Sequence, residues 1–124
     1  MNRTIKTILI SISCFVAGLF VCSQILMRYE KEQAASIFFV ATQHYENKDY
    51  EKAIALLNRS LAKNPDYYAS YHLLGEIYFK KGENDMAYEM LVIAKEKIGE
   101  GNNVDANRIS ELLSDLVDST SPRE

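Results

Sequence analysis

The chain has 124 residues and two cysteines, Cys14 and Cys22, with none after residue 22. Most of the chain therefore has no disulfide framework; it tolerates an oxidising compartment without depending on one. On one helix the two thiols, eight residues apart, would lie about 12 Å from each other, too far to bridge. No His-Glu-x-x-His, Cys-x-x-Cys or glycine-rich phosphate loop occurs, and the only histidines are His44 and His72. The spacings that hold zinc, cradle phosphate or run thiol chemistry are thus missing. No enzyme activity, metal or cofactor is expected. A basic excess is absent too, with a formal net charge of −3, so nothing draws nucleic acid. Neither glycine nor proline occurs between Gly18 and Pro65, which leaves no linker composition there.

Charge is also missing from Thr7 to Met27, a run of 21 residues. A bilayer core about 30 Å thick takes about 20 helical residues, so a transmembrane helix is predicted over 7–27. A buried core helix is the competing reading, but such helices are usually shorter and amphipathic. Arg3 and Lys6 precede the run; Arg28, Glu30, Lys31 and Glu32 come after it with no net charge. The positive-inside rule then keeps residues 1–6 cytoplasmic and exports the rest. Two other fates compete. Val21-Cys22-Ser23 offers small residues for signal-peptide cleavage before Gln24, although Ile25, Leu26 and Met27 prolong the apolar run past that point. Ser11 to Cys14 resembles a lipobox but lacks its leucine and lies inside the apolar run. An uncleaved anchor is the favoured reading. With no breaker from Leu19 to about Glu46, it is expected to pass through a juxtamembrane helix, 28–33, directly into the next helix.

From about residue 34 the chain repeats itself. Shifted by 34 residues, Gly82–Lys95 aligns with Lys48–Leu61: Ala87 falls on Ala53, Leu91 on Leu57 and Ala94 on Ser60. Upstream, Tyr71 falls on Ile37, Leu74 on Val40, Gly75 on Ala41 and Tyr78 on His44. In these residues the chain resembles the tetratricopeptide repeat family, whose 34-residue unit is a helix–turn–helix. Tyr71, Leu74, Gly75, Tyr78, Ala87, Leu91 and Ala94 carry the likeness in the second repeat; Ala41, Ala53, Leu57 and Pro65 carry it in the first. His44, Ser60 and Gly99 depart from the pattern. The resemblance implies an all-α fold of two tetratricopeptide repeats, 34–67 and 68–101. A capping helix is predicted at 104–117, where Ile109, Leu112, Leu113, Leu116 and Val117 keep helical spacing, and a disordered tail at 118–124. One transmembrane helix precedes them.

Gly75 tests that reading physically. It costs roughly 1 kcal/mol in mid-helix relative to alanine. A missing Cβ lets two helix axes come closer than the usual 8–10 Å or so, so Tyr71, Leu74 and Tyr78 are expected to pack around Ala87, Leu91 and Ala94. Asp49 and Asn84 or Asp85 are the expected helix N-caps, and Pro65 the stop after the first repeat. His44 reads as a partly buried, hydrogen-bonded core residue and His72 as solvated or groove-lining. Phe38 and Phe39 cannot share one helix face; one belongs inside and the other to lipid, a partner or a neighbouring helix.

In the family, first helices line a concave surface. Carried over, the resemblance implies a partner-binding groove of Phe38, Thr42, Tyr45, Glu46, His72, Glu76, Phe79 and Lys80, fit for an extended or helical peptide. Packing of Phe38, Tyr45 and Phe79 on each other or on the cap is the competing reading. The carboxylate clamp of the chaperone-binding subset is not carried over, because Phe38 and Thr42 stand at its first positions. The function expected is a single-pass adaptor in a bacterial inner (cytoplasmic) membrane, presenting its repeats on the periplasmic side to a protein partner for assembly of an envelope complex. A cleaved periplasmic or secreted subunit of a pilus or secretion machine, and an organellar outer-membrane receptor with cytosolic repeats, are the alternatives. Two repeats are fewer than the usual three, so a homodimer or constant partner contact is the expected supplement.

Overall fold

The computed structural model describes residues 3–98 and 103–120, with side chains over 10–98 and 104–118. Residues 99–101 at the end of the expected second repeat, residue 102, residues 1–2 of the expected cytoplasmic segment and residues 121–124 of the expected tail lie outside the described residues. Five helices occur in order: α1 (Arg3–Glu46), α2 (Tyr50–Lys63), α3 (Tyr68–Lys81), α4 (Asn84–Lys97) and α5 (Asn103–Thr120). No strand occurs among the described residues. α1 is one helix with no break between Gly18 and Glu46, as the missing glycine and proline require. α5 runs to Thr120, three residues past its predicted end.

The chain divides into two compact units, Met1–Glu32 and Gln33–Glu124. In the first, every described side chain from Ile10 to Glu32 is exposed. Its helix is long and apolar enough to cross a membrane.

The second unit is held together by a pattern repeated every 34 residues. α2 buries Ala53, Leu57 and Ser60; α4 buries Ala87, Leu91 and Ala94. Each triplet is an i, i+4, i+7 stripe, one face of a helix. The turns repeat as well. Lys48 N–H donates to Tyr45 O and Asp49 N–H to His44 O, both at 2.9 Å; Gly82 N–H donates to Phe79 O at 3.0 Å and Glu83 N–H to Tyr78 O at 2.9 Å. These paired bonds form the Schellman closure, which needs a left-handed residue just past the helix. Gly82 fills it at φ 77° and Lys48 at φ 61°.

After α2 the chain meets Pro65. Asn64 is extended (φ −141°, ψ 96°), because proline denies the α region to its predecessor. Asn64 then closes the turn twice: its carbonyl accepts from Tyr67 N–H at 3.1 Å and its Oδ1 from Asp66 N–H at 3.2 Å.

Gly75 lies on Leu91. A Cβ there would stand 2.6 Å from Leu91 Cγ and 2.8 Å from Cδ2, well inside contact distance. The packing expected around it needs one correction. Tyr71 and Tyr78 do pack on the cluster of Ala87, Leu91, Ala94, Ile109 and Leu116. Leu74, one helical step away, instead joins Ala41, Ala53, Leu57, Leu73 and Ile77 in the first cluster. α3 is thus the middle layer, with apolar faces on both sides.

The departure at Ser60 also finds its reason. Its buried hydroxyl donates to Ala34 O at 2.9 Å and accepts from the buried Ser70 hydroxyl at 3.1 Å. A polar chain therefore ties α1, α2 and α3 where the second repeat has Ala94.

One expected cap is in place and one is not. Asp49 does precede α2, but its carboxylate makes no capping bond. It pairs with Lys52 at 2.8 Å and lies 3.4 Å from His44 Nδ1. The hydrogen bond from Lys52, one turn along, holds the Asp49 pKa below the usual range. Glu83, not Asn84 or Asp85, stands at the N-cap of α4. His44 is half-buried beside Asp49. Of the phenylalanines, Phe38 packs inward, edge-to-face on Tyr67 at 5.4 Å, whereas Phe39 is 65% exposed.

Candidate functional site

Successive first helices present one polar-aromatic face each. From α1 come Phe38, Thr42, Tyr45 and Glu46, spaced along one side of the helix, and from α3 come His72, Glu76, Phe79 and Lys80 in the same register. They line an open trough with two basins. The upper, of about 470 Å³, holds six of the eight: Phe38, Thr42, Tyr45, Glu46, His72 and Glu76. The lower, of about 330 Å³, holds Phe79 and Lys80 and shares Tyr45 and Glu76 with the upper.

The opposite wall is α5, which the family-derived groove did not include. Asp105 and Arg108 face the upper basin; Arg108, Glu111, Leu112 and Asp115 face the lower. Sequence spacing carried a signal for them. Asp105, Arg108, Leu112 and Asp115 form a helical stripe beside the buried Ile109 and Leu116, so once those two dock on α4 the stripe beside them turns toward α3.

Glu76 sits where the basins meet. It is only 12% exposed. Its Oε2 accepts from Tyr45 Oη at 3.0 Å, and its Oε1 accepts from Arg108 Nη2 at 2.9 Å. A carboxylate so deeply placed needs such partners. His72 Nε2 lies 3.4 Å from the same Oε1 but makes no hydrogen bond, and it is buried. Burial pulls the His72 pKa below its ordinary value, against the opposing pull of Glu76. Burial first, and then the Glu76 charge, push the Tyr45 phenol up to about 12. At neutral pH the junction is therefore a neutral imidazole, a phenol that donates, and one carboxylate bound to one guanidinium. His72, at 15% exposed, is more enclosed than a solvated residue.

The remaining expected residues divide by task. Thr42 Oγ1 donates to Phe38 O at 3.0 Å, so its hydroxyl serves its own helix. Phe38 packs on the first core cluster and Phe79 on the second, each half-buried with one face left to the trough. Lys80 Nζ stands 5.9 Å from the Tyr45 ring centroid, within cation–π reach. Glu46 is on the exposed rim. Tyr68 Oη donates to Asp105 Oδ2 at 2.8 Å, tying the start of α3 to the start of α5. Among the described residues no group of three or more His, Cys, Asp or Glu side chains could hold a metal ion. The trough offers a half-apolar floor with fixed polar groups, which is chemistry for holding a side chain.

A family model described as tetratricopeptide repeat matches residues 44–108. Two solved structures of a tetratricopeptide repeat domain protein from Salinibacter ruber share the fold. Its crystal structure is 21% identical with a TM-score of 0.62, covering 68% of this chain and 96% of that one. Its solution structure is 20% identical with a TM-score of 0.63, covering 75% and 97%. No curated protein gives a significant match. The chain belongs to the tetratricopeptide repeat family of helical scaffolds for protein–protein interaction.

Proposed function

We propose that the chain is a non-catalytic, membrane-anchored adaptor that holds a segment of a protein partner in the trough between α1, α3 and α5. Residues 7–27 serve as an uncleaved single-pass anchor in a bacterial inner membrane. The repeats, 34–67 and 68–101, and the cap work on the periplasmic side, in assembly of an envelope complex. The observation that carries the reading is the trough itself: all eight residues Phe38, Thr42, Tyr45, Glu46, His72, Glu76, Phe79 and Lys80 line it. Aromatic faces there remain open, and pre-formed hydrogen bonds hold Tyr45 and Glu76, so little ordering cost attends binding. Anchoring adds to affinity by confining the adaptor near partners in the same membrane. Arg3 and Lys6 ahead of an uncharged run support the orientation.

The test is site-specific photocrosslinking in native membranes. A crosslinker at position 80 should capture one dominant protein, and one at Lys52, outside the trough lining, should not. Loss of that adduct with Phe79→Ala in a folded chain would place it in the trough. Equal capture from both positions would sink the reading. Mass analysis of the mature N-terminus separates the anchor from a cleaved subunit, whose chain would begin at Gln24.

A further inference from the structure

The charges around the trough are unbalanced, and the excess selects a partner. Five carboxylates line the two basins (Glu46, Glu76, Asp105, Glu111 and Asp115) against two cations, Lys80 and Arg108. Arg108 is committed to Glu76 at 2.9 Å, and His72 is held neutral by burial. Asp105 accepts from Tyr68. Glu46, Glu111 and Asp115 make no ion pair or hydrogen bond among the described residues, and all three are exposed on the rim. Beneath them the floor is apolar, formed by Phe79, Leu112 and the Tyr45 ring. The rim thus keeps an uncompensated negative potential over an aromatic floor.

We propose that the occupant of this trough is a lysine- or arginine-bearing segment of a protein partner, with an aromatic or aliphatic side chain between its cations. The apolar side chain enters the lower basin over Phe79 and Leu112. The cations meet Glu111 and Asp115 on one side and Glu46 on the other. This rests on the trough being the binding face; it adds the chemistry of what binds. Rim charges of this kind act mainly on encounter rate and choice of partner, and their pull fades with salt over about 8–10 Å.

The experiment uses the full chain in discs of zwitterionic lipid, with empty discs as the blank. Three short fluorescent peptides serve as probes: one with lysines flanking a Leu-Phe-Leu core, one with glutamate at each lysine, and one with serine there. Anisotropy should rank lysine above serine above glutamate, with lysine binding weakened about tenfold between low and physiological salt. Glu111→Lys with Asp115→Lys, both exposed and outside the core, should weaken the lysine peptide about tenfold and favour the glutamate peptide; circular dichroism confirms that the variant folds. If the glutamate peptide binds the unaltered chain as well as the lysine peptide, and Phe79→Ala abolishes that binding, the trough stands as the binding face and the basic occupant is overturned. If no peptide binds, or binding ignores both Phe79→Ala and the charge reversal, both proposals fall. Peptide binding lost on self-association of the chain would identify a second copy as the occupant, and that also overturns the basic segment.

Discussion

Three single residues carry separable physical loads. Gly75 presses its bare backbone on Leu91 with no room for a Cβ. Gly75→Ala recovers about 1 kcal/mol of helix propensity but forces overpacking worth about 1–3 kcal/mol. A net loss of up to about 2 kcal/mol is expected in urea unfolding, and Gly75→Leu should prevent a folded domain. Lys48 holds a left-handed conformation that Gly82 holds without strain in the next repeat. Lys48→Gly should therefore stabilise by about 1 kcal/mol, the rare case in which glycine raises a melting temperature. His72 sets a pH dependence. Its folded pKa is depressed by burial, so between that value and its unfolded value of about 6.5 the unfolded chain binds the proton and the folded chain does not. Stability is complete above about pH 6.5 and falls as pH drops through the folded pKa. His72→Gln should flatten that fall in thermal melts taken from about pH 7.5 to 5; an unchanged slope would assign it to other groups.

Among the elements, α5 stands where its apolar spacing predicts a capping helix, but its place as a wall of the trough was not expected. Spacing alone made α2, α3 and α4 legible, because small and bulky residues recur every 34 positions and Pro65 and Gly82 mark their ends. The one misplaced cap has a local cause: Asn84 and Asp85 are good capping types, but Glu83 takes the entry position of α4, whereas Asp49 stands at the N-cap of α2 with its carboxylate paired to Lys52. The groove residues on α1 and α3 were legible only through the family register. Arg108 was legible only as one member of the α5 stripe beside Ile109 and Leu116; its pairing with Glu76 of the next layer was not. Nor was the Ser60–Ser70–Ala34 chain, which reads locally as a missing alanine. α5 is docked through Ile109 and Leu116, both buried. Ile109→Ala should cost about 2–4 kcal/mol and speed hydrogen exchange in residues 104–118 well before α2 and α3 exchange. Uniform acceleration throughout would mean that α5 is integral to one cooperative unit.

At the scale of the whole molecule the chain joins an all-exposed apolar helix segment to a folded repeat unit. Two repeats bury a small core, and the cap supplies one wall of the trough as well as the end of the stack. An unbroken α1 from Arg3 to Glu46 offers a protease no unfolded backbone at residues 27–33, so limited proteolysis of intact membranes should spare that stretch. Partner binding is expected to load one face only. Hydrogen–deuterium exchange on the full chain in lipid discs, with and without the protein captured from position 80, measures this directly. Protection confined to residues 38–46, 72–80 and 105–115 is the expected result. Protection on the outward faces of α2 and α4, with the trough residues unchanged, would contradict the trough as the binding face.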